Sequence, residues 1–169
     1  MPRRKGDWYF DTVTLSNFAL ARRLDLLVAR YGRRVQVTGE VFEELLDGVI
    51  GGHALLADVE AAVRGGHFSL AVPLGPSGIV FYKVLLRTLA PGEASCVAQA
   101  KARGGRVVTD DRAARSRCVE QGVPFTGTIG ILKASCLDGT LKAEEADAVL
   151  QAMIRAGYHS PVRCISGLV

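Results

Sequence analysis

The chain has 169 residues, 49% of them hydrophobic, and a formal net charge of +4. That length supports one domain with a real core, taken here as residues 1–169, and no apolar run is long enough to span a membrane. The basic opening Met1-Pro2-Arg3-Arg4-Lys5 runs into Gly6-Asp7-Trp8 and lacks a signal-peptide core, so the expected location is the cytoplasm.

Trp8-Tyr9-Phe10 is a short apolar run closing on Asp11, which predicts a first strand. Thr12, Thr14 and Ser16 suit a helix N-terminus, and Leu15, Phe18, Leu24 and Leu27 carry helical character on to a stop at Gly32. Arg33 to Val37 predicts a second strand, with Val35 and Val37 inward. Thr38 caps a helix whose apolar stripe is Val41, Phe42, Leu45 and Leu46, and Gly51-Gly52 breaks it. His53 to Arg64 predicts another helix, with His53 and the later His67 exposed at segment edges. Phe68 to Val72 reads as a strand, Pro73 to Gly78 as a loop, and Ile79 to Leu89 as a helix. That helix carries more apolar residues than one surface helix needs, which points to a homodimer.

Pro91-Gly92-Glu93 opens a helix that runs to about Arg103, and Gly104-Gly105 ends it. Arg106 to Thr109 predicts a strand that ends on Asp110 and Asp111, followed at once by helix Arg112–Gln121. Gly122 to Thr126 gives a final core strand, and helices Ile129–Leu137 and Lys142–Ala156 follow. The tail from Pro161 receives no assignment. Strands alternating with helices argue an α/β fold with a parallel sheet covered on both faces.

Ligands of such folds bind at the carboxyl ends of the strands, where Asp11 and Asp110 fall. Asp111 taken alone is explained as a helix cap, but two adjacent carboxylates repel and need a counter-ion. Glu93 stands in the first turn of its helix, where capping and chemistry explain it equally well. Glu44 sits on its helix away from Phe42. Convergence of these four acids would require a cation, and oxygen ligands favour Mg²⁺ or Mn²⁺ over zinc. No Gly-x-x-x-x-Gly-Lys-Ser/Thr loop and no Gly-x-Ser-x-Gly elbow is present, which argues against P-loop and α/β-hydrolase chemistry. Cys96, Cys118, Cys136 and Cys164 lack metal-site spacing, and the first three fall on helical apolar patterns as small hydrophobes. The positive charge is mostly arginine, clustered at Arg3-Arg4, Arg22-Arg23, Arg33-Arg34 and Arg112-Arg115-Arg117. Guanidinium forks suit phosphate, although a solvated surface accounts for any single cluster.

Asp11-Thr12-Val13-Thr14-Leu15-Ser16-Asn17-Phe18, followed by Arg23-Leu24-Asp25-Leu26-Leu27, resembles the opening of PIN-domain proteins. Val41-Phe42-Glu43-Glu44-Leu45, Gly92-Glu93-Ala94-Ser95 and Thr109-Asp110-Asp111-Arg112-Ala113-Ala114-Arg115 resemble their later acidic segments. Gly122-Val123-Pro124-Phe125-Thr126-Gly127-Thr128-Ile129-Gly130-Ile131-Leu132 is similar to the stretch that follows in one prokaryotic subfamily. The resemblance implies a three-layer α/β/α sandwich with a central parallel sheet, and metal-dependent endonucleolytic cleavage of RNA. Many such relatives are toxins of toxin–antitoxin pairs, which implies a small antitoxin as partner. By position it implies Asp11, Glu44, Glu93 and Asp110 as the catalytic acids, with Asp11, Glu93 and Asp110 holding Mg²⁺ or Mn²⁺. Asp111 is adjacent, Thr12 and Thr109 would position water or phosphate, and Arg112 and Arg115 would engage the RNA backbone. Glu43 competes with Glu44 and Asp111 with Asp110; Glu44 is preferred because it directly precedes Leu45-Leu46. Where many relatives carry a second acid after Glu93 this chain has Ser95 and Cys96, and where many carry Ser it has Val13. The missing acid favours a rival reading, a PIN-like module that binds RNA or a protein without cutting. A phosphoacceptor domain ranks last, since its acidic pair belongs after the first strand. No aromatic platform for stacking bases is evident from the sequence.

Overall fold

The computed structural model describes residues 6–169, so the Arg3-Arg4 cluster lies outside the described residues. In chain order the elements are β1 (Trp8–Phe10), α1 (Thr12–Leu20), α2 (Leu24–Tyr31), β2 (Val35–Val37), α3 (Gly39–Ile50), α4 (Ala57–Arg64) and β3 (Ser69–Leu70). They continue with α5 (Pro76–Leu85), α6 (Pro91–Arg103), β4 (Arg106–Val108), α7 (Arg112–Gln121), β5 (Phe125–Thr126), α8 (Thr128–Leu137) and α9 (Ala143–Arg155).

The five strands form one sheet in the order β3-β2-β1-β4-β5, with every neighbouring pair parallel. Parallel neighbours need long crossovers, and the helices supply them. From β1 the chain builds outward through β2 to β3, then returns to the other side of β1 to lay down β4 and β5. That reversal opens a crevice at the carboxyl ends of β1 and β4, the place where open α/β sheets take their ligands. The result is the expected α/β/α arrangement, with helices over both faces of a parallel sheet.

Burial explains why these runs are strands. Tyr9, Phe10, Val35, Val37, Val107 and Val108 are all within the core. A parallel sheet covered on both faces selects continuous apolar runs rather than alternation. Helix α6 packs on β1 and β4 and also touches α3, α5 and α7. Its residues Ala94 to Ala100 are all buried, and their small size lets neighbours close on every side. Among the described residues no helix is long and apolar enough to cross a membrane.

Several boundaries depart from the sequence reading. The helix expected from Thr12 to Gly32 is two helices, because Arg22 adopts a left-handed conformation (φ 58°) and turns the chain. Arg33–Val37 shortens to Val35–Val37, preceded by a 3₁₀ turn over Gly32–Arg34, and Ala54–Leu56 is a 3₁₀ turn ahead of α4. Strand Phe68–Val72 reduces to Ser69–Leu70, and the helix placed at Ile79–Leu89 begins three residues earlier at Pro76, the favoured first helical position for proline. The last strand is no core strand. It pairs only with β4 at the sheet edge, and Phe125 is 38% exposed. Cys96 and Cys118 are buried as expected, whereas Cys136 is only partly so. The tail folds back: Ile165 is buried, and its amide and that of Ser166 donate to the Asp147 carboxylate.

Candidate functional site

β1 delivers its acid directly. The Asp11 amide donates to Val108 O at 3.0 Å, extending the β1–β4 ladder by one rung. Its carboxylate caps α1, accepting from Thr14 N at 2.8 Å. Asp11 is only 1% exposed, and burial pushes its pKa from 3.8 to about 6; hydrogen bonds from Thr109 and Thr14 pull it down, and the charge of Asp110 pushes it further up. A buried carboxylate with a raised pKa in a crevice is a functional-site signal.

β4 delivers the second pair. Asp110 accepts from Thr128 N at 2.9 Å, Thr128 Oγ1 at 2.5 Å and Asn17 Nδ2 at 3.4 Å, and it pairs with Arg115 Nη2 at 3.5 Å. Asp111 caps α7 through Ala114 N at 2.7 Å, and its own amide donates to Thr109 Oγ1. Glu93 caps α6, accepting from Ala90 N at 3.2 Å. Its pKa is raised, first by burial and then by the nearby charge of Asp111. Asp11, Glu93, Asp110 and Asp111 line one cleft of about 280 Å³, which Asn17 and Tyr158 help to wall.

Glu44 stands behind this cleft. Thr12 Oγ1 donates to its Oε2, and Gly92 N donates to its Oε1 at 2.8 Å. A Cβ on Gly92 would overlap the Glu44 carboxylate, so a side chain there would push that carboxylate off the Gly92 amide. Glu43 on the same helix is exposed. Ser95 is turned into the core, bonded to Thr38 Oγ1 and Gly92 O, and Cys96 Sγ lies on Phe10 O. Among the described residues no three His, Cys, Asp or Glu side chains are grouped closely enough to hold a metal ion as they stand.

Of the remaining expected residues, Thr109 is buried and Arg112 is exposed at the start of α7. Arg115 lies within the site rather than beyond it: Nε donates to Thr109 O at 3.0 Å, and the guanidinium faces Asp110. It is a counter-ion to the acids before it is a contact for anything else. The sequence assigned no role to Asn17, Thr128, Tyr158, His159, Gly92 or Gly127. Asn17 and Thr128 lay inside the motif stretches, but their common bond to Asp110 is visible only once the chain folds.

Gly127 allows the Asp110–Arg115 pair to sit against the backbone. A Cβ there would overlap Arg115 Nη2 and Asp110 Oδ1 and lie 2.9 Å from Thr109 O. Gly127→Ala is expected to cost about 1–3 kcal/mol of stability, as overpacking does. Gly39→Ala, where a Cβ meets nothing within 4 Å, should cost nothing. A urea titration of both variants checks this, and equal midpoints would disprove the tight approach.

An all-parallel sheet with a carboxylate-lined crevice at its switch point defines an open-sheet α/β/α protein. A family model described as "DUF3368: PIN domain" matches residues 7–168 of the chain, which therefore belongs to the PIN-domain family. PIN domains are generally nucleases. No curated protein and no solved structure matches the chain significantly.

Proposed function

We propose that the chain is a Mg²⁺- or Mn²⁺-dependent endoribonuclease acting as the toxin of a toxin–antitoxin pair. The observation that supports this most is the meeting of Asp11, Glu93, Asp110 and Asp111 in one cleft on a PIN fold. The donors are all carboxylate oxygens, and two of them carry raised pKa values, so the set matches a hard divalent cation. Asp11, Glu93 and Asp110 would hold it. Mg²⁺ keeps several of its waters, through which a carboxylate can hold it indirectly, so these three acids need not form a tight group as they stand. When bound, such a cation lowers the pKa of a coordinated water and polarises the scissile phosphate.

The chain's own groups orient the reaction. Asn17, Thr128 and Arg115 fix the Asp110 carboxylate, and Thr109 fixes Asp111. Glu44, held by Thr12 and Gly92, adds negative potential behind Glu93, which also feels its charge. Arg112, exposed at the start of α7, would meet a backbone phosphate. Cleavage of a labelled RNA with Mn²⁺, with Mg²⁺ and with EDTA tests the reading, alongside a calorimetric Mn²⁺ titration. Binding of Mn²⁺ without cleavage, or neither, would leave the rival reading, a PIN module that binds without cutting. The core-facing Ser95 and Cys96, in place of an acid, favour that rival.

We also propose that the chain self-associates through α5. Ile79, Val80 and Val84 are exposed there, beside exposed Leu70 and Val72. Sedimentation velocity should show the mass rising with concentration, and Val80→Glu should hold the chain monomeric without altering cleavage. A parent chain of constant monomer mass removes this partner.

A further inference from the structure

The acidic cleft continues into a second cavity of about 540 Å³, and Asp110, Tyr158 and His159 line both. Phe125, Ile129 and Pro161 give the second cavity apolar walls. Phe125 is the unusual member, an aromatic ring left 38% exposed on the edge strand. The Arg115 guanidinium lies 5.5 Å from its centroid, held in place by Thr109 O and Asp110. The guanidinium covers one side of the ring, and the part of the Phe125 ring that stays exposed is a surface on which a flat group can stack. The Arg115 charge is already offset by Asp110, so the groove offers poor recognition to a phosphate. It better suits a neutral, flat group with polar edges, joined to something that reaches the acids.

We propose that this groove is a nucleobase subsite, which takes the base of the nucleotide next to the scissile phosphate of a single RNA strand through the Phe125 ring and His159. The proposal rests on the ribonuclease reading for the strand's path over the acids. A single strand is required because paired bases in an A-form helix are not free to swing out and stack on a side chain. Stacking on a ring tolerates any base, so the subsite sets position along the strand rather than sequence.

The test is binding of a fluorescently labelled oligouridine to the full chain in EDTA, followed by the same strand with one abasic position moved along it. Phe125→Ala should bind about 10-fold more weakly, the loss typical of one removed stacking partner, and Phe125→Tyr should bind as the parent does. One abasic position should cost the parent chain a similar factor and cost the Phe125→Ala chain nothing more. His159→Ala should weaken binding by a smaller factor. Equal binding by parent and Phe125→Ala, no sensitive abasic position, or no binding by the parent overturns the subsite. Failure of the two proposals is distinguishable. Ring-dependent binding without cleavage removes the nuclease and keeps the subsite, whereas cleavage with ring-independent binding does the reverse.

Discussion

Without metal at about pH 8, Asp11→Asn is expected to melt higher than the parent chain by roughly 6–12 °C. The Asp11 carboxyl is buried and its pKa stands at about 6 rather than 3.8. That difference is a penalty of roughly 3 kcal/mol on the charged form. Below 3.8 both the folded and the unfolded chain hold the proton and no penalty exists. Between 3.8 and about 6 the unfolded chain releases its proton while the folded chain retains it, so stability falls as pH rises. Above about 6 the full penalty is in place. Asn keeps the oxygen that accepts from Thr14 N, is itself a good helix cap, and carries no charge. The advantage of the variant should therefore vanish near pH 4. Thermal melts across this range in EDTA are the measurement. An advantage that persists in acid would mean that burial of charge is not its cause.

Asp110→Asn is expected to do the opposite to stability and the same to activity. Asp110 already has Arg115 as counter-ion and accepts from Thr128 and Asn17. Asn keeps one accepting oxygen but sets an NH₂ against the donors on the other and leaves Arg115 without its counter-ion, at a cost of about 1–3 kcal/mol. A shared dislike of crowded charge would have stabilised both variants; the Arg115 pairing is why only Asp11→Asn should gain. Cleavage of RNA should fall in both by more than about 100-fold, beyond the loss seen when a supporting group of a metal site is removed. Mn²⁺ at 100 times its dissociation constant should stabilise the parent by about 2.7 kcal/mol and each variant by less. Because a proton competes for Asp11, affinity for Mn²⁺ should climb as pH passes about 6. Glu43→Gln, at an exposed position, should match the parent in every assay. Melts, calorimetry and cleavage on the same preparations decide it, and parent-like cleavage by either Asp variant would remove that acid from the proposed site.

Strand ends and helix caps were more legible in the sequence than the contacts between them. Trp8-Tyr9-Phe10 and Val107-Val108 are apolar runs ending in a carboxylate and a helix start, a local pattern that survives folding intact. Thr38 and Asp111 were legible as caps for the same reason, since a cap bonds only a few residues along the chain. The break at Arg22 was not legible. No glycine or proline marks it, and the left-handed turn arises where α2 must swing Leu26 and Leu27 onto the core. The bonds to Asp110 from Asn17, 93 residues away, and from Thr128, 18 residues away, depend on the fold and leave no periodic trace. The run Gly122 to Thr126 reads as a core strand, yet Phe125 is exposed. Its place at the sheet edge follows from strand order, which alternation of strands and helices does not determine.

The cleft's floor and its rim come from different parts of the chain. The carboxylates hang from strand ends and helix starts that the core holds rigid. Tyr158 and His159 belong instead to the short segment between α9 and the buried anchor Ile165, outside the sheet. Tyr158 and Val162 pack against the core, but His159 and Pro161 between them are exposed, so changes at those two positions meet little resistance from packing, while those at Asp11 disturb the centre of the molecule. On the ribonuclease reading, that division lets the rim's contacts with a strand drift while the acids stay fixed, and it makes His159 and Pro161 the first positions to randomise in altering those contacts.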